Sequence, residues 1–500
     1  MAAKPSPAPA LDWPMWGGTP ARNMVSPGKN PPVEFGPGKR IRGKDEIDLA
    51  TTKGLKWTVP LGSNSFGTPV VTGGRILLGT NNEHPRDPRY TDDRCVLLCL
   101  DEKTGALVWQ MPSTKLGTGK VSDYEYVGIA STAAVDGDRV YLTTNRCEVV
   151  CLDLHGMANG NQGYQGEVSY YSTPECPITA TSATDADVIW RFDMRDESGV
   201  FPHNMTASSV LVLGDRVYAT TSNGVDWTHQ NTPAPDAPCL ICLDKATGKL
   251  LAEEASGISQ RLMHCSWSSP AFAEIGGQRQ IIFGGGDGFC YGFDFAFTKD
   301  KEGHAIFAEL WRCDANPKQL RVDEAGQLRK YGHYDGPSEI IATPVFYKDK
   351  IYTVIGQEFE HGSGLGCLTC IDPALRGDLT DKVVWRYTDM DRTCGTPSIV
   401  DDILYVADFN GTVHALDAGT GAKLWTYDTK GHIWGGALYI DGKLYAGNEE
   451  GELHILSTGR DGGKKLNLIE FPGSLYVPPV YANGTLYMMT MSRLYAFGPK

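Results

Sequence analysis

The chain contains no run of eighteen apolar residues, so no membrane-crossing helix is expected. It is short of positive charge. Its 46 Lys and Arg stand against 60 Asp and Glu, a net charge of −14. That balance excludes the clustered basic face which nucleic-acid backbone binding requires. Residues 1–10 have no apolar stretch of the signal-peptide kind and read as a disordered leader. The expected location is the periplasm or the exterior, after removal of a signal peptide not present in this chain, or otherwise the cytoplasm. The thirteen cysteines include the close pairs Cys95/Cys99, Cys147/Cys151, Cys239/Cys242 and Cys367/Cys370. These lie within apolar strand patterns and lack the knuckle geometry of a zinc site. On a strand, residues i and i+4 stand roughly 13 Å apart. The cysteines are therefore read as buried strand residues, with cross-strand disulfides left open.

What the chain has in quantity is glycine, 58 residues, and a repeat. Ala415-Leu-Asp417-Ala-Gly-Thr420-Gly421-Ala-Lys-Leu-Trp425 recurs as Cys99-Leu-Asp101 through Thr104-Gly105 to Trp109. Cys242-Leu-Asp244 with Thr247-Gly248 follows the same spacing but has Ala252 in place of Trp. Looser copies run from Asp153 to Trp190, Asp294 to Trp311 and Asp372 to Trp385. An apolar strand ending in Asp can bond the next backbone amides, Thr-Gly makes the tight turn, and Trp opens the following strand. Between these turns lie short polar hairpins such as Asp136-Gly137, Asp441-Gly442 and Asn483-Gly484. The later ones recur at about 41 residues, near the period of a four-stranded propeller blade.

The last unit stops after three strands, at Lys500, while a lone strand around Trp57 precedes the first unit. Together they make one complete blade. The expected fold is all-β: an eight-bladed β-propeller of four-stranded blades over 53–500, closed by the N-terminal strand and preceded by an irregular arm over 1–52. Closure removes the exposed sheet edge. Trp13 and Trp16 are expected to pin the arm.

The Ala/Cys-x-Asp-x-x-Thr-Gly-x-x-x-Trp pattern resembles the tryptophan-docking motif of the quinoprotein, or PQQ-like, eight-bladed propellers. That group includes quinoprotein alcohol dehydrogenases and the outer-membrane assembly lipoprotein BamB. The opening Trp13-Pro-Met-Trp-Gly-Gly-x-x-x-x-Asn23 looks like the leader of PQQ-like repeat proteins. The resemblance implies either a quinone with Ca²⁺ or a cofactor-free protein-interaction scaffold. The alcohol dehydrogenases hold the quinone between a Trp and a disulfide of adjacent cysteines. This chain has no Cys-Cys dipeptide, which departs from that pattern.

In a propeller, the segments entering each innermost strand line the mouth of the central channel. Aligning the repeats puts His203, Asn204, His264, Trp267, Glu339, Asp391, Arg392, His432 and Trp434 in that ring. Trp267 and Trp434 are the candidate quinone-stacking residues, and Asn204, Glu339 and Asp391 offer oxygen ligands for Ca²⁺. His203, His264 and His432 with Glu339 would suit a divalent transition metal. A His with Tyr334 or Tyr476 would act as general base and acid, and Arg392 would neutralise a carboxylate. The leading expectation is a small polar ligand, sugar- or alcohol-like, bound in the funnel and acted on by these residues. The alternatives are a BamB-like scaffold, anchored to a protein partner by exposed loop aromatics such as Tyr90 and Trp227, and a quinone-dependent dehydrogenase.

Overall fold

The repeated aspartates build their turns as the spacing predicts. Asp101 Oδ1 accepts from the backbone N (3.0 Å) and Oγ1 (2.7 Å) of Thr104. Asp244 and Asp417 make the same pair of bonds to Thr247 and Thr420. Each of these turns holds a glycine at positive φ, for instance Gly105 at 72° and Gly421 at 73°. The reason lies in the neighbouring blade. A Cβ on Gly105 would meet the ring of Trp57 at 2.8 Å, and one on Gly421 would meet Trp385 at 2.7 Å. Trp109, Trp190 and Trp425 lie on Gly156, Gly248 and Gly463 in the same way. The indole N–H then donates across the blade boundary, as from Trp57 to Glu102 O (3.2 Å) and from Trp425 to Gly459 O (2.9 Å). So the motif is an interlock: Trp57, Trp109, Trp190, Trp385 and Trp425 are each laid flat on the next blade's turn, where no side chain is tolerated, while Trp311 packs on Gly292 and bonds Gln280 within its own blade.

In the computed structural model, which describes residues 11–44 and 46–499, the strands make eight four-stranded antiparallel meanders. The expected disordered leader lies outside the described residues. Blades 1 to 7 span 70–114, 134–193, 211–253, 271–314, 345–387, 398–428 and 437–470. Blade 8 joins three strands from 480–497 to Leu55–Pro60, which pairs antiparallel with Arg493–Phe497. The chain is thus a β-propeller closed by its N-terminal strand. Strands within each blade are called A to D from the inside out. Register shifts recur at one place in strand C, before the Asp turn, as at Cys99/Leu100 and Ala415/Leu416. Such bulges turn the strand toward its hairpin. All thirteen cysteines are free, and twelve are buried.

Innermost A strands have a free edge, and residues 13–26 cover it. Trp13 pairs with Val71 of blade 1, and Val135 N of blade 2 donates to Pro14 O. Phe272 N and Phe346 N donate to Pro20 O and Ala21 O, and Tyr439 N to Met24 O. Asn23 bonds Ile399 through both of its amide atoms. Ser26 Oγ donates to Tyr481 O. Arg22, fully buried, reaches Pro270 O (2.9 Å), Val210 O (2.9 Å) and the arm's own Trp16 O (2.8 Å). The arm therefore visits the inner strand of every blade. Trp13 is buried, and Trp16 donates to Thr343 Oγ1 at 2.9 Å.

Candidate functional site

Two residues before each A strand the chain passes one ring of equivalent positions. In blades 1 to 6 these are Thr68, Thr132, Ser209, Ser269, Thr343 and Thr396; blades 7 and 8 supply Gly435 and Pro478. All eight line a single cavity of about 420 Å³. Several hydroxyls bond around the ring, as Ser269 Oγ accepting from Ser209 N (2.9 Å). Trp16 of the arm also lines the cavity. Because the arm crosses the inner strands, Trp16 makes this end of the channel a floor. The wall is aromatic. Phe359 stacks on Trp434 at 3.6 Å, Trp434 meets Tyr476 at 4.2 Å, and Tyr476 faces Phe66 at 6.1 Å.

Beside this funnel lies a histidine cluster. His203 precedes strand A of blade 3, His264 that of blade 4 and Glu339 that of blade 5. All three are fully buried. His203 Nδ1 donates to Val225 O at 2.6 Å, which fixes the tautomer and leaves Nε2 as a lone pair. Among the described residues neither that Nε2 nor either ring nitrogen of His264 has a hydrogen-bond partner, and Glu339 Oε2 also lacks one. His229 joins them from the loop between strands B and C of blade 3. That loop is tightened by Asp226, which accepts from Thr228 and Asn231, and His229 sits at φ 55°. Ligand atoms of His203, His229 and His264 lie within 4.8 Å of one another. Among the described residues this is the one group of His, Cys, Asp and Glu atoms that converges so. Glu339 Oε1 stands 3.7 Å from His264 Nδ1 and accepts from Tyr331 Oη at 3.0 Å. Tyr331 Oη also meets His361 Nδ1 at 3.4 Å.

Burial sets the charge states. It pulls the His203 imidazole down to about 4 and His264 to about 2, so both are neutral near pH 7. It pushes the Glu339 carboxyl well above the usual carboxylate range. Neutral imidazoles with free lone pairs are what a divalent transition ion binds. The backbone-held Nδ1–H of His203 is the usual outer support of a ligating histidine.

Three segments, 46–169, 92–262 and 308–492, match the family model described as outer membrane protein assembly factor BamB, of the PQQ-like repeat group. The chain belongs to that family. Among curated relatives, a dehydrogenase subunit of a quinone alcohol dehydrogenase from Gluconobacter oxydans is 38% identical over 91 residues. That match covers 15% of this chain and only 12% of the relative's length. BamB of Burkholderia pseudomallei is 34% identical over 97 residues, 19% of this chain and 24% of that protein. The solved BamB of Moraxella catarrhalis superposes with TM-score 0.53 at 14% identity, covering 89% of this chain and 97% of that one. The quinohemoprotein alcohol dehydrogenase ADHIIG of Pseudomonas putida gives 0.59 at 11% identity, covering 98% and 80%. At these identities the structural likeness shows the fold.

On the PQQ-like propeller the expected site residues separate into three places. His203, His264 and Glu339 come together, with Trp267 against them: its ring is 5.1 Å from His264 and it lines the funnel. Asn204 and Trp434 also line the funnel, Asn204 Nδ2 donating to Glu358 Oε2 at 3.2 Å. His432 is elsewhere. It stacks on Phe409 at 4.4 Å and bonds Phe409 O, so it is outside the converging group. Arg392 is not a free cation facing substrate: it donates to the carbonyls of His361, Gly362 and Ser363 and so holds the His361 loop. Asp391 accepts from the amides of Gly364 and Arg392, a structural cap away from the funnel lining. Tyr334 is 59% exposed, and Tyr331 stands by the cluster instead. Tyr90, expected as an exposed anchor, is 1% exposed, packed between Arg89 and Arg94; Trp227 is 54% exposed.

The sequence reading missed His229, His361 and Tyr331. Their one signal was location: His229 and Tyr331 sit in the long 223–238 and 314–337 insertions, on the face where loops collect. The quinone that the dehydrogenase relatives' names carry does not fit this funnel. PQQ is a tricarboxylate; among the described residues no Lys, Arg or His lines the cavity, and Glu358 and Glu360 do.

Proposed function

We propose that the loop face is a metal-dependent active site. His203, His229 and His264 hold a first-row divalent ion, with Glu339 beside them, and a small organic molecule occupies the adjoining funnel. The observation that carries this is the set of buried orphans: His203 Nε2, both nitrogens of His264 and Glu339 Oε2. Each unsatisfied buried polar atom costs about 1–3 kcal/mol, and a bound ion would satisfy His203 Nε2 and one nitrogen of His264. At a metal–nitrogen distance of about 2 Å, the ion would draw the rings inward. When bound, it supplies Lewis acidity at the funnel rim. The chain's own groups then have defined parts. Val225 O orients His203, Arg392 fixes the loop bearing His361, and Tyr331 donates its proton toward Glu339. Trp267 joins cluster and funnel.

The test is elemental analysis of protein purified without chelator. The expected result is one equivalent of a transition metal, lost in His264→Ala and in His203→Ala with unchanged circular dichroism. Wild-type protein that stays metal-free after exposure to Zn²⁺, Cu²⁺, Mn²⁺ and Co²⁺ overturns the reading.

A second reading, a BamB-like interaction scaffold in the cell envelope, is favoured by exposed Trp227 on the His229 loop. It expects Trp227→Ala to abolish capture of a protein partner that His264→Ala still binds.

A further inference from the structure

We infer that the funnel is a cage for a small organic cation, a primary amine or quaternary ammonium, taken up by aromatic faces and balanced by Glu358 and Glu360. This rests on the proposed function only in taking the funnel as the ligand site; it does not require the metal. The charge of the cavity decides the class. Among the described residues its lining includes Glu358 and Glu360 and no Lys, Arg or His. Cations that stand behind the lining are already engaged: Arg392 donates to three carbonyls, and Lys115 is paired with Asp123 and donates to the carbonyls of Tyr124 and Val127. An anionic ligand would add repulsion to that pair of carboxylates, and a neutral sugar would leave their mutual repulsion in place. A cation removes it.

The remaining surface suits the same ligand. Phe359, Trp434, Tyr476 and Phe66 form a continuous arc, and Trp267 and Tyr124 also line the cavity. Ring faces carry negative potential and attract ammonium groups, Trp best of all. The Trp267 N–H is bonded to Met205 O and the Trp434 N–H to Glu449 Oε2. Neither indole N–H is free to bond a polyol. Glu358 is positioned by Asn204, whose left-handed backbone (φ 56°) aims its amide at the carboxylate.

The test is calorimetric titration with choline and with 3,3-dimethylbutan-1-ol, its uncharged isostere, alongside glucose and PQQ. We expect saturable choline binding, with the isostere at least tenfold weaker. Glu358→Gln weakens choline at least tenfold and leaves the isostere unchanged. Trp434→Ala weakens choline comparably, with the melting temperature checked for both variants. Equal binding of choline and its isostere, tighter binding of glucose or PQQ, or no choline binding by folded wild type overturns the inference. Parallel titrations with metal-loaded and chelator-treated protein separate the two readings. Choline binding by a chain that takes up no metal refutes the metal site alone, and metal uptake without choline binding refutes the cage alone.

Discussion

Arg22→Met tests whether the arm is what floors the funnel. The wild-type guanidinium is fully buried, and burial pulls its pKa down to about 9. That shift of roughly three and a half units is about 5 kcal/mol of desolvation at 1.36 kcal/mol per unit. Three charge-assisted bonds, at about 1.5–3 kcal/mol each, offset it. Met removes both, so those quantities nearly cancel. What remains is three carbonyls, of Trp16, Val210 and Pro270, left without their donor. At the low end of about 1 kcal/mol each, the arm loses about 3 kcal/mol. The loss is local, because the arm contributes no strand to most blades. The assay is hydrogen exchange at Val71, Val135, Phe272, Phe346 and Tyr439, whose amides donate to arm carbonyls. Their protection should fall about a hundredfold, since 1.4 kcal/mol is tenfold, while strand B and C amides stay protected. Unchanged exchange at all five, or loss spread evenly over the propeller, refutes the reasoning.

Other perturbations probe the interlock, a buried carboxyl and the thiols. Gly421→Ala combines a left-handed backbone, about 1–2 kcal/mol, with a Cβ 2.7 Å from the Trp385 ring; a urea midpoint shift worth about 3 kcal/mol is expected. Gly442→Ala, at φ 77° with nothing within 4 Å, is the control and should cost only the backbone part. Glu254 is buried and its pKa is pushed up to about 7, first by desolvation. The native state therefore holds a proton that the unfolded chain releases above about 4.5. Wild-type stability should fall as pH rises from 4.5 to 7, and the advantage of Glu254→Gln should appear across that window; a constant difference from pH 4 to 8 would contradict the assignment. Of thirteen free cysteines, only Cys394 is not fully buried and it lines the funnel. A small thiol reagent should therefore modify at most that one natively and all thirteen in urea, as mass spectrometry would count.

The repeat made most of the architecture legible. Asp, Thr-Gly and Trp at fixed spacing specify local turns, and the Trp–Gly contact specifies which blade sits beside which. The missing final strand and the orphan strand at Trp57 closed the ring on paper. Such features are local or strictly periodic, so the chain states them without help. The same periodicity put His203, His264, Glu339, Trp267 and Trp434 on one mouth, because each stands at the entry to an A strand.

What folding alone decided lies off the period. His229 and His361 come from B–C loops of unequal length, and nothing in their spacing says that one turns toward His203 and the other toward Tyr331. His432, like His203 and His264, precedes an A strand but is several blades away around the axis, where it stacks on Phe409. The period fixes height above the funnel; angle around it and loop path decide who meets. The arm is the clearest case. Beyond its Trp13–Asn23 leader motif, its Pro- and Gly-rich sequence carries no strand period, because its hydrogen bonds are made with the free edges of eight inner strands that exist only once the ring has closed.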